Sequence, residues 1–295
     1  MCARRIESTA SRTADLTCGC RAISFYERNP LYKGSDWVAP KLLPGKMLPL
    51  VRIGLTRMLL RKAMGPQGVY EWVIARTRYF DDALLRACRE GFSQVLLFGA
   101  GFDSRGVRFK AELKEMRLFE LDAATTQRLK TEQFRLRGVE VPPNVTFVPV
   151  NFETESVEEK LAQSGFMRNQ KSLVILEGVL QYLNPHAVHS TFTTVHNMVG
   201  MGSRIVFDHA YGFVLRGERN VYGQERMISG VKRFGESWQF GLDEIEVKGF
   251  LKKYEMLLVD QKSPTELEEL NFKGTDGVVR ARINGTQGIV TAERR

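Results

Sequence analysis

The sequence predicts an α/β fold: a doubly wound, mostly parallel sheet of seven strands with helices on both faces. Three observations carry this reading. From Gln94 onward, short apolar runs of strand length alternate with amphipathic stretches of helical length, the signature of βαβ units. The residues suited to chemistry stand just after those apolar runs, where such sheets bind ligands. Residues 1–90, punctuated by Pro30, Pro40, Pro44 and Pro49, carry helical patterns and turn residues but no strand-like run. They are read as an N-terminal helical cap belonging to the same domain as the 91–295 core.

Gln94 to Phe98 forms the first strand and ends in Gly99-Ala100-Gly101, with Asp103 or Ser104 placed to cap the next helix. Met116 to Leu121 is the second strand, closed by Asp122, and a helix follows from about Ala123 to Leu136. Asn144 to Val150 reads as the third strand and Ser156 to Gln163 as a helix. Ser172 to Leu176 is the fourth strand, ending in Glu177-Gly178. Pro185 suits the first turn of a helix reaching about Val199, with Asn184 as its cap. Ser203 to Phe207 is the fifth strand, followed by Asp208-His209. The stretch at about 210–240 is polar and glycine-rich and reads as a lid-like insertion. Leu242 to Lys253, Glu255 to Asp260 and Gly288 to Ala292 complete the pattern as helix, strand and strand.

The bulk properties narrow the class. No run of about 18 uncharged apolar residues occurs and Met1 to Glu7 lacks the stretch of a signal peptide, so a cytoplasmic protein with no membrane partner is expected. Cys2, Cys18, Cys20 and Cys88 make no C-x-x-C pair and read as reduced thiols. The net charge of +9 is scattered, with one loose group at Arg52, Arg57, Arg61 and Lys62, and no nucleic-acid partner is expected. His186, His189, His196 and His209 have no metal-binding spacing, and neither H-E-x-x-H nor G-x-S-x-G is present.

Gly99-x-Gly101 allows a sharp turn and close backbone approach to a ligand. A dinucleotide fingerprint would place a further glycine at position 104, where Ser104 stands, and Asp103 adds negative charge where a pyrophosphate would lie. A ligand carrying positive charge is expected instead. Asp122, about 21 residues after Gly101, is placed to accept hydrogen bonds from ribose hydroxyls. Glu120 faces the same side of the strand and is the alternative. Arg76 lies on a helix among Trp72, Val73, Tyr79 and Phe80 without a local acid, whereas Arg78 has Asp81 and Asp82 within reach. Such an arginine calls for an anionic partner from elsewhere, a substrate carboxylate or a distant structural acid.

Four segments in order, Ala75-Arg76-Thr77-Arg78-Tyr79-Phe80-Asp81-Asp82, Leu97-Phe98-Gly99-Ala100-Gly101-Phe102-Asp103-Ser104-Arg105, Phe119-Glu120-Leu121-Asp122 and Leu176-Glu177-Gly178-Val179-Leu180-Gln181-Tyr182-Leu183, resemble the leucine carboxyl methyltransferase family and its bacterial relatives, which include small-molecule O-methyltransferases. The likeness runs from Thr9-Ala10 and Arg21-Ala22 to Phe240-Gly241-Leu242-Asp243 and the last strand. It implies a Rossmann-like class I methyltransferase fold and S-adenosyl-L-methionine as cofactor, leaving S-adenosyl-L-homocysteine as product. The ammonium and sulfonium groups of that cofactor match the cationic ligand expected above. By the resemblance, Gly99 and Gly101 line its methionine part, Asp122 binds ribose, Asn151 and Phe152 flank the adenine, Glu177 lies beside it, and Arg76 touches both cofactor and substrate. Tyr182 would help Arg76 hold a substrate carboxylate. Ser104 and Asn151 replace the family's usual threonine and aspartate.

These residues together lead to an expected transfer of a methyl group to a carboxylate on a small molecule or peptide. A carboxylate is already anionic near neutral pH and needs no general base. If the acceptor is a hydroxyl or amine, His209 or Tyr211 is the candidate base. Two further readings are an NAD-dependent oxidoreductase, and a non-catalytic module that uses the positive charge balance.

Overall fold

The computed structural model describes residues 12–63, 67–152 and 154–295. Cys2, Thr9 and Ala10 lie outside the described residues, as does the side chain of Lys62.

Seven strands form one sheet in the order β3-β2-β1-β4-β5-β7-β6. β1 (Gln94–Phe98), β2 (Arg117–Asp122), β3 (Val145–Pro149), β4 (Ser172–Leu176) and β5 (Arg204–Ala210) are parallel, whereas β7 (Gln287–Arg294) runs antiparallel between β5 and β6 (Met256–Lys262). The central strands β1 and β4 are buried along their whole length, as expected for strands covered on both faces.

The helices preceding the sheet are α1 (Arg12–Phe25), α2 (Ala39–Leu42), α3 (Leu48–Arg52), α4 (Gly54–Ala63) and the long α5 (Val69–Arg89). α5 has no internal glycine or proline, and Val69, Trp72, Val73, Phe80, Leu84 and Ala87 repeat at helical spacing to give a continuous buried stripe. That stripe shares one core with Cys18, Ile23, Val38 and Leu42 from the segments before it and with Val95, Leu97, Ile175 and Val206 from one face of the sheet. Cys18, Cys20 and Cys88 are free thiols, the first two buried.

The other face of the sheet, through Leu96, Phe98, Val174, Leu176, Ile205 and Phe207, packs on α8 (Val157–Gln163), α9 (Pro185–Met198) and α12 (Val247–Lys252). α9 begins where Asn184 accepts a hydrogen bond from the Ala187 amide at 2.9 Å, with Pro185 in its first turn.

Several elements depart from the sequence reading. β5 runs through Asp208, His209 and Ala210 because β7 offers Ile289, Gly288 and Gln287 as antiparallel partners to them. The insertion contains two helices, α10 (Gly212–Arg216) and α11 (Gln224–Phe234). The helix expected over Leu242 to Lys253 is confined to α12, because Leu242 is tied to Ala210 and the Asp243 carboxylate accepts from the Phe213 amide. An unexpected helix, α13 (Pro264–Phe272), starts from a capping box formed by Ser263 and Glu266.

Beneath the end of β2, Glu120 is paired with Lys130 of α7 (Ala124–Leu136) at 2.5 Å, and both side chains are buried. Burial lifts the Glu120 carboxyl to about 7 against the pull of Lys130. Replacing Lys130 by methionine strands that carboxylate, so the variant should lose about 3 kcal/mol in urea unfolding at pH 8. The loss should shrink at pH 6, where Glu120 protonates, and the double change with Glu120→Gln should recover most of it. Equal losses for single and double variants would show that the pair is not the cause.

Candidate functional site

The loop after β1 is held against the end of β2. The Ala100 amide donates to the Leu121 carbonyl at 3.0 Å, and the Gly101 amide donates to Asp122 Oδ2 at 2.5 Å. Asp122 Oδ1 accepts from the Ala123 amide at 2.7 Å. Gly99 and Gly101 have φ of 59° and 50°, a backbone state that suits glycine. A Cβ on Gly99 would also stand 3.0 Å from Val179. The carboxylate of Asp122 is therefore fixed at the strand end, and burial raises its pKa despite those two amides. Glu120, the alternative ribose ligand, is occupied by Lys130 and is withdrawn from the role.

Beside this loop lies a buried ion network. Arg105, fully buried at the start of the short helix α6 (Arg105–Arg108), reaches Asp81 on α5 at 2.8 Å, Asp103 in the loop, and Glu177 after β4 at 2.7 Å. Arg108 reaches Asp81 at 2.7 Å and Asp36 at 3.5 Å, and Ser104 donates to Asp36 at 2.8 Å. Arg21 of α1 pairs with Asp36 at 3.6 Å and donates to the Phe102 carbonyl at 2.7 Å. Arg76 lies 3.1 Å from Glu177 and 2.8 Å from Asp208 on β5. Asp208 in turn accepts from the Gly178 amide at 2.5 Å.

This placement answers one expectation and changes two. Arg76 does have anionic partners from elsewhere in the chain: Glu177 and Asp208. Arg78 does not engage Asp81, which the other two arginines occupy, but donates to the carbonyls of Leu31, Lys33 and Asn271. Asp103 is not an open negative charge; it caps the Arg105 amide at 2.7 Å and pairs with that residue's guanidinium. Burial would raise its carboxyl, yet Arg105, Lys130 and Arg21 together bring it down to about 2.

Tyr182 ends a short 3-10 turn (Leu180–Tyr182), and its phenol lies beside Thr13 and Trp238, with burial raising its pKa. Thr13 also donates to Glu236, so α1 and the segment after α11 meet at Tyr182. On the other side, Phe152 exposes 46% of its surface and stacks on Phe98, with ring centroids 6.3 Å apart. Asn151 stands next to it, its amide donating to Glu155 at 2.8 Å.

The two candidate bases are elsewhere. Strand alternation turns His209 away from the face that carries Asp208 and Arg76. Its ring is fully buried, Nδ1 contacts the Ala210 carbonyl at 3.0 Å, and burial lowers its pKa. Tyr211 donates to Glu244 at 2.9 Å, and burial raises its pKa strongly. Sequence reasoning passed over Arg105, Asp81, Asp36, Arg21 and Asp208. Of these, Asp208 had a signal, since it follows a strand as Asp122 and Glu177 do.

The profile of the family described as leucine carboxyl methyltransferase matches residues 34–196, more than half of the chain. The chain belongs to this family. Three relatives each carry the name "Putative S-adenosyl-L-methionine-dependent methyltransferase". The one from Bacillus subtilis (strain 168) is 26% identical, with 70% of this chain and 71% of the relative covered. That from Parafrankia sp. (strain EAN1pec) is 29% identical over 79% and 72% of the two chains. That from Mycolicibacterium gilvum (strain PYR-GCK) is 30% identical over 71% and 69%. The crystal structure of a protein from Thermobifida fusca YX, titled a putative methyltransferase, shares the fold at a TM-score of 0.59 and 14% identity, with 88% of this chain and 97% of that one covered.

The protein is thus an S-adenosyl-L-methionine-dependent methyltransferase of class I fold, and the NAD reading falls. The residues at the loop fit that cofactor. The ion network holds five carboxylates, Asp36, Asp81, Asp103, Glu177 and Asp208, against four arginines. The site is therefore net negative, as suits a cofactor with two cationic groups and one carboxylate. The glycine turn leaves room for close approach, and the open face of Phe152 can stack on a base.

The network also sets the acid limit of stability. Asp103, Asp36 and Glu177 are all held below their usual values by neighbouring arginines, which outweigh burial. A depressed carboxylate contributes stability above its unfolded pKa and loses it as pH falls through the folded one. The melting temperature followed by circular dichroism should therefore fall steeply between about pH 4 and pH 2. A flat profile in that window would remove the network from the stability of the fold.

Proposed function

We propose that the enzyme methylates a carboxylate oxygen of a small molecule or peptide, with Arg76 and Tyr182 orienting the acceptor. The observation that carries this reading is the state of the Arg76 guanidinium. Asp208 accepts a hydrogen bond from Nη1 at 2.8 Å and Glu177 lies 3.1 Å from Nε as an ion pair, while neither Nε, which is buried, nor Nη2 has a hydrogen-bond partner among the described residues. A guanidinium held between two carboxylates offers its unfilled donors in fixed directions, which suits an oxygen anion. Tyr182 is close enough to Arg76 to feel its charge. His209 is buried on the opposite face of β5 from Asp208 and the Tyr211 hydroxyl is taken up by Glu244, which further favours an acceptor that needs no base.

In this reading Gly99 and Gly101 lie along the methionine part of the cofactor, Asp122 accepts from ribose hydroxyls, Asn151 and Phe152 flank the adenine, and Glu177 fixes Arg76 beside the reacting groups. When bound, S-adenosyl-L-methionine supplies an electrophilic methyl group on sulfur. The chain's own residues align the acceptor and keep water out. The 1–90 cap and the 210–240 insertion frame the acceptor side, which the meeting of Thr13, Glu236 and Tyr182 supports.

A panel of carboxylic acids, peptides and phenols, incubated with methyl-labelled cofactor, tests the acceptor class. A methyl ester releases labelled methanol in mild base, and an ether or N-methyl product does not; base-stable label throughout would overturn the carboxylate reading. Arg76→Lys keeps a positive charge between Glu177 and Asp208 but removes the planar fork. It should leave the near-ultraviolet spectrum unchanged and lower kcat/KM for the acceptor by about 100-fold. Near-normal turnover would take Arg76 out of the reaction. Asp122→Asn should weaken cofactor binding in calorimetry by about tenfold, the cost of one charge-assisted hydrogen bond.

A further inference from the structure

The helical hairpin of α3 and α4 is built the wrong way round for a surface element of a water-soluble domain. On α4, Leu55, Met58 and Leu59 stand at i, i+3 and i+4, so they share one face. That face points outward: Leu55 exposes 66% of its surface and Leu59 56%, and Ile53, at the bend before the helix, exposes 56%. The inward side carries Leu60, which packs on the core, together with the cations Arg57 and Arg61. Arg57 donates to the carbonyls of Val51 and Arg52 at 3.3 and 3.2 Å, closing the end of α3. Arg61 pairs with Glu71 at 2.8 Å and lies over the rings of Tyr32 and Tyr70. A contiguous exposed apolar face of this kind marks a surface that meets another phase or partner.

Two further features say which. Between Asp36 and Glu71 the sequence has no acidic residue, but it has Lys41, Lys46, Arg52, Arg57, Arg61 and Lys62. Next to the apolar face, Arg28, Arg52 and Arg57 surround a cavity of about 440 Å³ together with Tyr26 and Gly54. Arg52 is oriented there by a hydrogen bond to the Tyr26 hydroxyl at 3.2 Å. Three guanidinium groups with no carboxylate among them form a site for a phosphate. A second copy of the chain docked on this patch about a two-fold axis would set cations against the same cations.

We propose that the α3–α4 hairpin docks on an anionic phospholipid surface. Leu55, Met58, Leu59 and Ile53 enter the boundary between headgroups and acyl chains, and the Arg28–Arg52–Arg57 cavity receives a headgroup phosphate. The expectation of no membrane partner rested on the lack of a spanning segment, and no helix among the described residues is long and apolar enough to cross a membrane. A helix lying in the interface plane needs no such length.

The test is flotation of the full chain with vesicles of phosphatidylglycerol and phosphatidylcholine, and with phosphatidylcholine alone. The protein should float with the anionic vesicles only, and less as salt is raised. Arg28→Gln with Arg52→Gln should weaken binding by about fivefold for each arginine lost. Leu55→Ser with Leu59→Ser should abolish flotation while leaving cofactor binding, read by calorimetry, unchanged. Inorganic phosphate added at constant ionic strength should not release the protein. Failure to float with anionic vesicles, flotation indifferent to both pairs of changes, or release by phosphate alone would overturn the proposal. So would a concentration-dependent dimer in sedimentation that the Leu55 and Leu59 changes dissolve, which would assign the face to a second copy.

Discussion

The site depends on one buried guanidinium. Arg105 is out of contact with solvent and bridges three carboxylates that arrive on three separate pieces of chain: Asp81 from α5, Asp103 from the loop after β1, and Glu177 from the end of β4. Removing a charged group from water costs several kcal/mol unless partners replace the hydration, so this arginine tolerates burial only while all three pieces are in place. That requirement ties the long helix, the glycine loop and the sheet into one arrangement. Glu177, once held by Arg105, holds Arg76, and Asp208 holds Arg76 from the neighbouring strand. The orientation of the Arg76 guanidinium is thus set two ion pairs away, at Arg105.

The network sits where it does because the strands change character at their carboxyl ends. β1 and β4 are buried through Phe98 and Leu176, and their side chains alternate between the two cores. Polar residues begin immediately after, at Gly99 and Glu177. Gly178 matters here for its missing side chain, since a Cβ would come within 3.3 Å of the Arg76 guanidinium. The apolar sheet supplies rigidity, and the polar rim supplies chemistry within one or two residues of it.

Much of this was readable in advance, for identifiable reasons. The boundaries of β1 and β4 followed from apolar runs closed by glycine or glutamate, and α9 from Asn184-Pro185, because these signals are local. α13 had an equally local signal, Ser263 and Glu266 around Pro264, and was overlooked. The extension of β5 was not legible, because Asp208 and His209 stay in a strand only through pairing with residues about 80 positions later. Asp122 was preferred to Glu120 only for standing nearer the strand end; the pairing of Glu120 with Lys130, one helix away, was not legible. The pairing of Arg76 with Asp208 spans 132 positions and leaves no trace in spacing.

Asp103 shows why charge near a ligand site resists residue-by-residue reading. Taken alone it suggested a negative charge facing the ligand; in the structure Arg105 neutralises it. What acts on a ligand is the pooled charge of the network, and that pool stays negative because five carboxylates share four arginines. Two unit charges about 5 Å apart interact by about 3 kcal/mol at an effective dielectric near 20. A pyrophosphate placed at Gly99-Ala100-Gly101 would add repulsion of that order to the cost of its own desolvation. A sulfonium and an ammonium there gain attraction of the same order. The sequence reading therefore reached the right class of cofactor through the wrong residue, and the sign of the whole network is the physical basis on which that inference stands.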